Sequence, residues 1–258
     1  MLLFDHAIPL FFVLFFILSV FVEIGHRAGL RMSVDTDTLR HEQLVAARDA
    51  IGLLLSLLMG FTLAMAIARF DQRKQLLVDE ANAIGTAMLR AEMLPDSEHG
   101  KMLALLREYV DARMHFSEAR IAGQGIDSAM TQAKQLQSEM WERSVEAAKT
   151  TPTAITSLFI QALNDVIDLS EKRLAILENR VPPPIWIMLT LISFLACLTV
   201  GMSVRRRFWY VMMITPLMIS IVMSLIADLN NPRSGFLQTD RKSMHRLQQE
   251  VRPESGNR

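Results

Sequence analysis

The sequence predicts an all-α membrane protein: four transmembrane helices, with a helical bundle inserted between the second and the third. Three observations carry this. Four runs are apolar and long enough to cross a bilayer core about 30 Å thick, which takes roughly 20 helical residues. The stretch 69–180 is polar, poor in glycine and proline, and repeats its apolar residues at helical spacing. No segment shows sustained strand alternation. The averages of 51% apolar residues, 21% charged residues and mean hydropathy +0.25 conceal this split between uncharged runs and charge-dense helices.

The first run covers about 8–22. It has no positive segment before it and no clear small-residue cleavage site, so a retained span is expected rather than a cleaved signal peptide. The second, 51–68, carries no charge, and neither does the third, within 181–204. The fourth is 208–227, with Pro216 inside it as an expected kink. Irregular backbone cannot face lipid, so each run must be a helix. Trp186, Trp209 and Tyr210 stand at span ends, as interfacial aromatics do. The triple proline 182–184 opens span three, where a missing N–H costs nothing.

The insert reads as about four helices. Its apolar stripes are Leu77, Ala81, Ile84, Met88; Met102, Leu106, Val110; Ala129, Ala133, Leu136, Met140; and Ile155, Phe159, Leu163, Val166. Breaks are expected at 95–100, 123–125 and 150–153, with Thr151 as an N-cap before Pro152. No proline lies between Ala50 and Leu94, so span two should run unbroken into the first insert helix. The expected division is 1–68, two spans and their loop; 69–180, the helical domain; 181–229, the last two spans; and 230–258, a polar tail of disordered composition.

Charge and motifs exclude several functions. The 27 basic and 27 acidic residues balance to zero with no basic surface, so nucleic acid is not an expected partner. The single cysteine, Cys197, lies in an apolar run and rules out an intramolecular disulfide. No nucleophile elbow, phosphate-binding glycine loop or HExxH occurs, so no catalytic residue, metal or cofactor is assigned and an enzyme is not expected. His26, Asp35, Asp37, His41 and Glu42 match no metal-site spacing, and Asp37-Thr38 reads more simply as a helix start. Asp165 and Asp168, a turn apart, read as a solvated face, Trp141 as a core residue, and Asp228 as a cap or an arginine partner.

Span two has two faces. Gly52, Ser56, Gly60, Ala64 and Ala68 form a small-residue stripe of the kind that lets membrane helices approach closely. One residue along, Leu53, Leu57, Phe61 and Met65 form a large apolar stripe on the adjacent face. The large stripe suits lipid, or a central axis where several copies would form a hydrophobic neck that gates by dewetting. Arg69, Arg73 and Lys74 follow, as interfacial anchors or as groups favouring anions at an inner mouth.

The segment LMGFTLAMAIARF (58–70) resembles the second membrane helix of bestrophins, through Gly60, Phe61, Arg69 and Phe70. DEANAIGTAMLRAEMLP (79–95), with Asp79, Glu80, Asn82 and Arg90, resembles the bacterial membrane family named after a bestrophin-like domain. So do LQSEMW (136–141), LNDVID (163–168), RVPPPI (180–185) and DLNNPRSG (228–235), the last with Asp228, Pro232 and Arg233. The resemblance covers most of the chain. It implies a homo-oligomer, a pentamer in bestrophins, that conducts anions such as chloride. The neck would be Leu53, Leu57 and Phe61, the inner mouth Arg69 and Arg73, and the packing face Gly52, Ser56, Gly60 and Ala64. It also implies a bacterial inner membrane location with the termini and helical domain cytoplasmic. Positive charges flank both sides nearly equally and do not decide the orientation. The acidic run of the eukaryotic calcium clasp is missing from 230–240. Besides membrane lipid and anions, the alternative partners are a ligand or protein held by the helical domain of a membrane sensor or scaffold.

Overall fold

The computed structural model describes residues 7–31, 38–122, 124–204, 208–231 and 246–249. They form helices α1 (Ala7–Arg31), α2 (Thr38–Ala91), α3 (Asp96–Ala122), α4 (Ile126–Thr150), α5 (Ala154–Glu178), α6 (Pro183–Ser203) and α7 (Trp209–Asn230). Among the described residues there is no strand. Four helices, α1, α2, α6 and α7, are long and apolar enough to cross a membrane. The chain divides into two compact units, Met1–Phe70 with Arg180–Leu237, and Asp71–Asn179 with Gln238–Arg258. The 54-residue α2 contributes to both.

In the first unit α1 packs on α6 and α7, and α6 on α7. The close approach is made by glycine. A Cβ at Gly25 would collide with the Leu198 carbonyl, and one at Gly201 with the Val22 carbonyl. Phe21 stacks on Phe194 with ring centroids 4.4 Å apart. Hydroxyls in these helices turn back on their own backbone: Ser193 donates to the Leu189 carbonyl at 2.7 Å and Thr199 to the Leu195 carbonyl at 3.0 Å. That satisfies a polar side chain where water is absent. The Val181 N–H donates to Asn230 Oδ1 at 2.8 Å and ties the start of α6 to the end of α7. Helix α1 extends well past the apolar run 8–22. Its last turns carry a Glu23–Arg27 ion pair at 2.9 Å. Trp209 and Tyr210 are exposed, but Trp186 packs against the unit's interior rather than standing free as an interfacial ring.

In the second unit α3 packs on α4 and α4 on α5. Three of the four sequence stripes are wholly buried there. Ile155, expected in the fourth, is exposed because it occupies the first turn of α5, while Phe159, Leu163 and Val166 are buried. The cap of α5 is Thr153, whose side chain accepts from the Thr156 N–H at 3.2 Å, and not Thr151. The Thr151 carbonyl instead accepts from Thr156 Oγ1. Helix α3 starts at Asp96, so Gly100 lies inside it. Gly125, at φ 72°, supplies the left-handed residue that starts α4. Trp141 is 38% exposed and is not the core residue the sequence suggested. Within the polar tail, 246–249 is helical, with Leu247 buried in the unit's core and Gln248 Nε2 donating to Asp111 Oδ1 at 2.6 Å.

Candidate pore face and a buried ion cluster

On α2, Leu53 is 73% exposed, Leu57 52% and Phe61 67%. The face that the chain itself covers is a third one, Leu55, Met59, Thr62 and Ala66, all buried. At 3.6 residues per turn, Leu55 lies about 200° round from Leu53, so the large stripe points away from the chain's own packing. The small stripe flanks the covered face. At Gly52 and Gly60 an added Cβ would meet nothing within 4 Å. Ser56 and Ala64 are exposed, and Ser56 donates to the Gly52 carbonyl at 2.8 Å. Within one chain this stripe therefore supports no close helix contact; that role falls to Gly25, Gly29 and Gly201. The covered face had no signature in the sequence, because it differs from its neighbours only in which apolar residues it holds.

The two arginines after the apolar run differ. Arg69 is half-buried, whereas Arg73 is 5% exposed and drawn into the protein, so it does not display its charge as an arginine at a mouth would. Of the family-motif residues, Asn82 is exposed and Asp79 accepts from Gln75 Nε2 at 2.9 Å. Arg90 Nη1 donates to the Leu158 carbonyl at 2.7 Å, joining the end of α2 to the start of α5. Asp228 is buried at the end of α7. Pro232 and Arg233, like Asp35 and Asp37, lie outside the described residues. Asp165 and Asp168 are exposed. Among the described residues no three His, Cys, Asp or Glu side chains group as metal ligands.

Glu80, which the sequence marked only as a family-motif residue, is the polar centre of the helical domain. Its side chain is fully buried, and each carboxylate oxygen takes one guanidinium: Oε1 pairs with Arg113 Nε and Oε2 with Arg173 Nη1, both at 2.5 Å. The Arg113 guanidinium also lies 5.2 Å from the Phe116 ring centroid. Nearby, Gln137 Nε2 donates to Tyr109 Oη at 3.0 Å and to Ser170 Oγ at 2.8 Å. Burial opposes the Arg113 charge, but the attraction and hydrogen bond of Glu80, with Tyr109 and Glu171 adding to them, together outweigh it and raise its pKa. For Arg173 burial prevails over Glu80, and the like charge of Arg113 adds to it, so its pKa is lowered. Burial also pushes the Tyr109 phenol up, which keeps it neutral.

A signal for this cluster was present. Glu80 falls three residues after Leu77 and four before Ile84, inside the apolar register. Arg113 continues the stripe through Tyr109 and Val110, Gln137 follows Ala133, and Arg173 follows Val166 and Ser170. Charged residues on buried registers are the mark of internal pairing.

Comparison with known proteins agrees with this architecture. The crystal structure of a bacterial bestrophin homologue from Klebsiella pneumoniae, solved by zinc phasing, matches with TM-score 0.67 at 14% identity. The match covers 92% of this chain and 96% of that one. A single-substitution variant of that homologue matches with TM-score 0.66 at 13% identity over 93% and 97% of the two chains. At such identities the likeness is one of fold. No curated protein matches the sequence. The profile of the bestrophin-like domain matches residues 13–244, and the chain belongs to the bestrophin-like domain family of membrane proteins.

Proposed function

We propose that this protein is an anion-preferring channel of the bacterial inner membrane, formed by several copies around α2. One observation carries the reading. The charge-free stripe of large residues Leu53, Leu57 and Phe61 on α2 faces away from everything the chain packs against. A soluble core would bury such a stripe. Around a shared axis it forms a narrow apolar tube from which water withdraws, and hydrated ions then meet a barrier. The small stripe, uncovered within one chain, becomes the surface on which neighbouring copies approach. Arg69, at the end of the charge-free run, supplies positive charge at the inner mouth; Arg73 is not included. A pentamer with the helical domain and termini in the cytoplasm fits the family.

The test is anion flux in proteoliposomes, with Phe61→Ala beside the wild type. The expected result is flux above that of empty vesicles, raised in the variant because a wider neck dewets less. Equal flux in both removes Phe61 from the neck. An intact oligomer without flux in either favours the second reading, a membrane scaffold. The exposed Leu89 on α2, Met93 in the turn after it and Leu158 on α5 support that reading as apolar side chains open to a protein partner.

A further inference from the structure

Charge buried in a protein is costly unless an opposite charge matches it. The cluster around Glu80 is not matched. Its one carboxylate faces two guanidinium groups, so the cluster carries one positive charge in surplus. Glu80 is 0% exposed, Arg113 2% and Arg173 7%, which leaves water little part in screening that charge. Glu171 also attracts Arg113, but its side chain is about half exposed and pairs with Lys134 at 3.6 Å, which holds its charge at the surface.

Hydrogen bonding shows the same imbalance. Two guanidinium groups carry about ten N–H donors, whereas one carboxylate offers about four lone-pair sites. The Arg113 Nη2 atom is buried and finds no acceptor among the described residues. The oxygens of Tyr109 and Ser170 are already engaged by Gln137 Nε2. Tyr109, one turn before Arg113 on α3, stays neutral in its buried position and brings a further O–H donor. A buried donor of this kind calls for an acceptor, and the surplus charge calls for a negative one.

We propose that the cluster binds one small monovalent inorganic anion such as chloride, held by Arg113 Nη2. A single negative charge brings the cluster to neutrality. A dianion would overshoot it, and a water molecule would supply an acceptor without a charge. Glu80 belongs to α2, Arg113 to α3 and Arg173 to α5, so the bound anion strengthens the joint between these three helices. The inference rests on the helical domain and not on conduction.

The experiment is urea unfolding of the full-length protein in detergent, followed by helix signal, in sodium chloride or sodium gluconate at equal ionic strength. Gluconate is too large to be buried in the cluster. Chloride is expected to stabilise the fold over gluconate. Each ten-fold rise beyond its dissociation constant should raise the folding constant about ten-fold. Arg113→Met leaves Glu80 and Arg173 as a balanced pair and is expected to lose this response. Arg173→Met leaves Glu80 and Arg113 balanced and is expected to lose it too. Crystals of the unaltered protein grown in sodium bromide are expected to show anomalous scattering within hydrogen-bonding distance of Arg113 Nη2. Equal stability in the two salts overturns the proposal. So does a chloride response that survives Arg113→Met, which would put the anion elsewhere, as in a pore. Density beside Arg113 Nη2 without bromide scattering also overturns it, since the acceptor would then be water.

Discussion

The two units expose opposite kinds of residue. In the helical domain the interior is apolar, Ile84, Met102, Leu106, Met140 and Leu163, and the exterior is charged. In the membrane unit large side chains such as Phe12, Phe16, Leu53, Phe61 and Leu191 lie outside, while Ser193, Thr199, Ser220 and Gly201 lie inside. Water drives large apolar groups inward in the first case. Lipid is as apolar as leucine, so in the second case helices associate by close packing, and small and hydroxyl residues share the interior with large ones such as Leu18, Leu189 and Met223. The few charges at the centre of the helical domain are the exception that tests this contrast, because there pairing replaces hydration.

The sharpest way to break the contrast is to unpair those charges. Glu80→Leu leaves Arg113 and Arg173 buried without their carboxylate and is expected to cost about 3–5 kcal/mol. Denaturant unfolding of the purified protein, followed by helix signal, should show the loss. Replacing all three with apolar residues of similar size should restore most of it. A single variant as stable as the triple one would mean the cluster is not internally paired.

Next in size is packing in the membrane unit. Gly201→Ala forces α1 and α6 apart, because its Cβ meets the Val22 backbone; overpacking of this kind costs about 1–3 kcal/mol. Gly60→Ala, with open space beside it, should leave the unfolding midpoint of the monomer in detergent unchanged. Equal effects at the two glycines would refute close packing as the distinction between them.

A change of similar size is expected at Gln137→Leu, which removes the donor shared by Tyr109 and Ser170 and should cost about 1–3 kcal/mol through their unmet partners. Pairing it with Tyr109→Phe should recover part of that, which a double-mutant cycle would measure. The smallest is Thr153→Ala, the loss of one N-cap, at about 1 kcal/mol. Thr151→Ala should cost less in the same assay, since Thr151 engages Thr156 through its backbone carbonyl.

The four spans, the helical insert and the unbroken passage through α2 were legible because each depends on local pattern: an uncharged run, a period of 3.6, a proline-free stretch. Where a competing local signal existed, the reading slipped. Thr151 before proline looked like the cap, but the chain takes two further residues to turn, and Thr153 has the reach to the Thr156 N–H. Leu247, in a tail of disordered composition, is buried because the helical domain offers it a place beside Gly85.

The sequence by itself determined which segments are helices, which of them lipid can surround, and which residues share each face of α2. It did so because helix formation in a bilayer and helical periodicity are properties of short stretches. Only the tertiary structure decided which face of α2 the chain covers and which glycines meet another backbone. It alone brought Glu80, Arg113 and Arg173, from three helices, onto one buried site. Those outcomes depend on partners distant in sequence, and the apolar residues of a membrane helix are too alike for composition to choose between its faces.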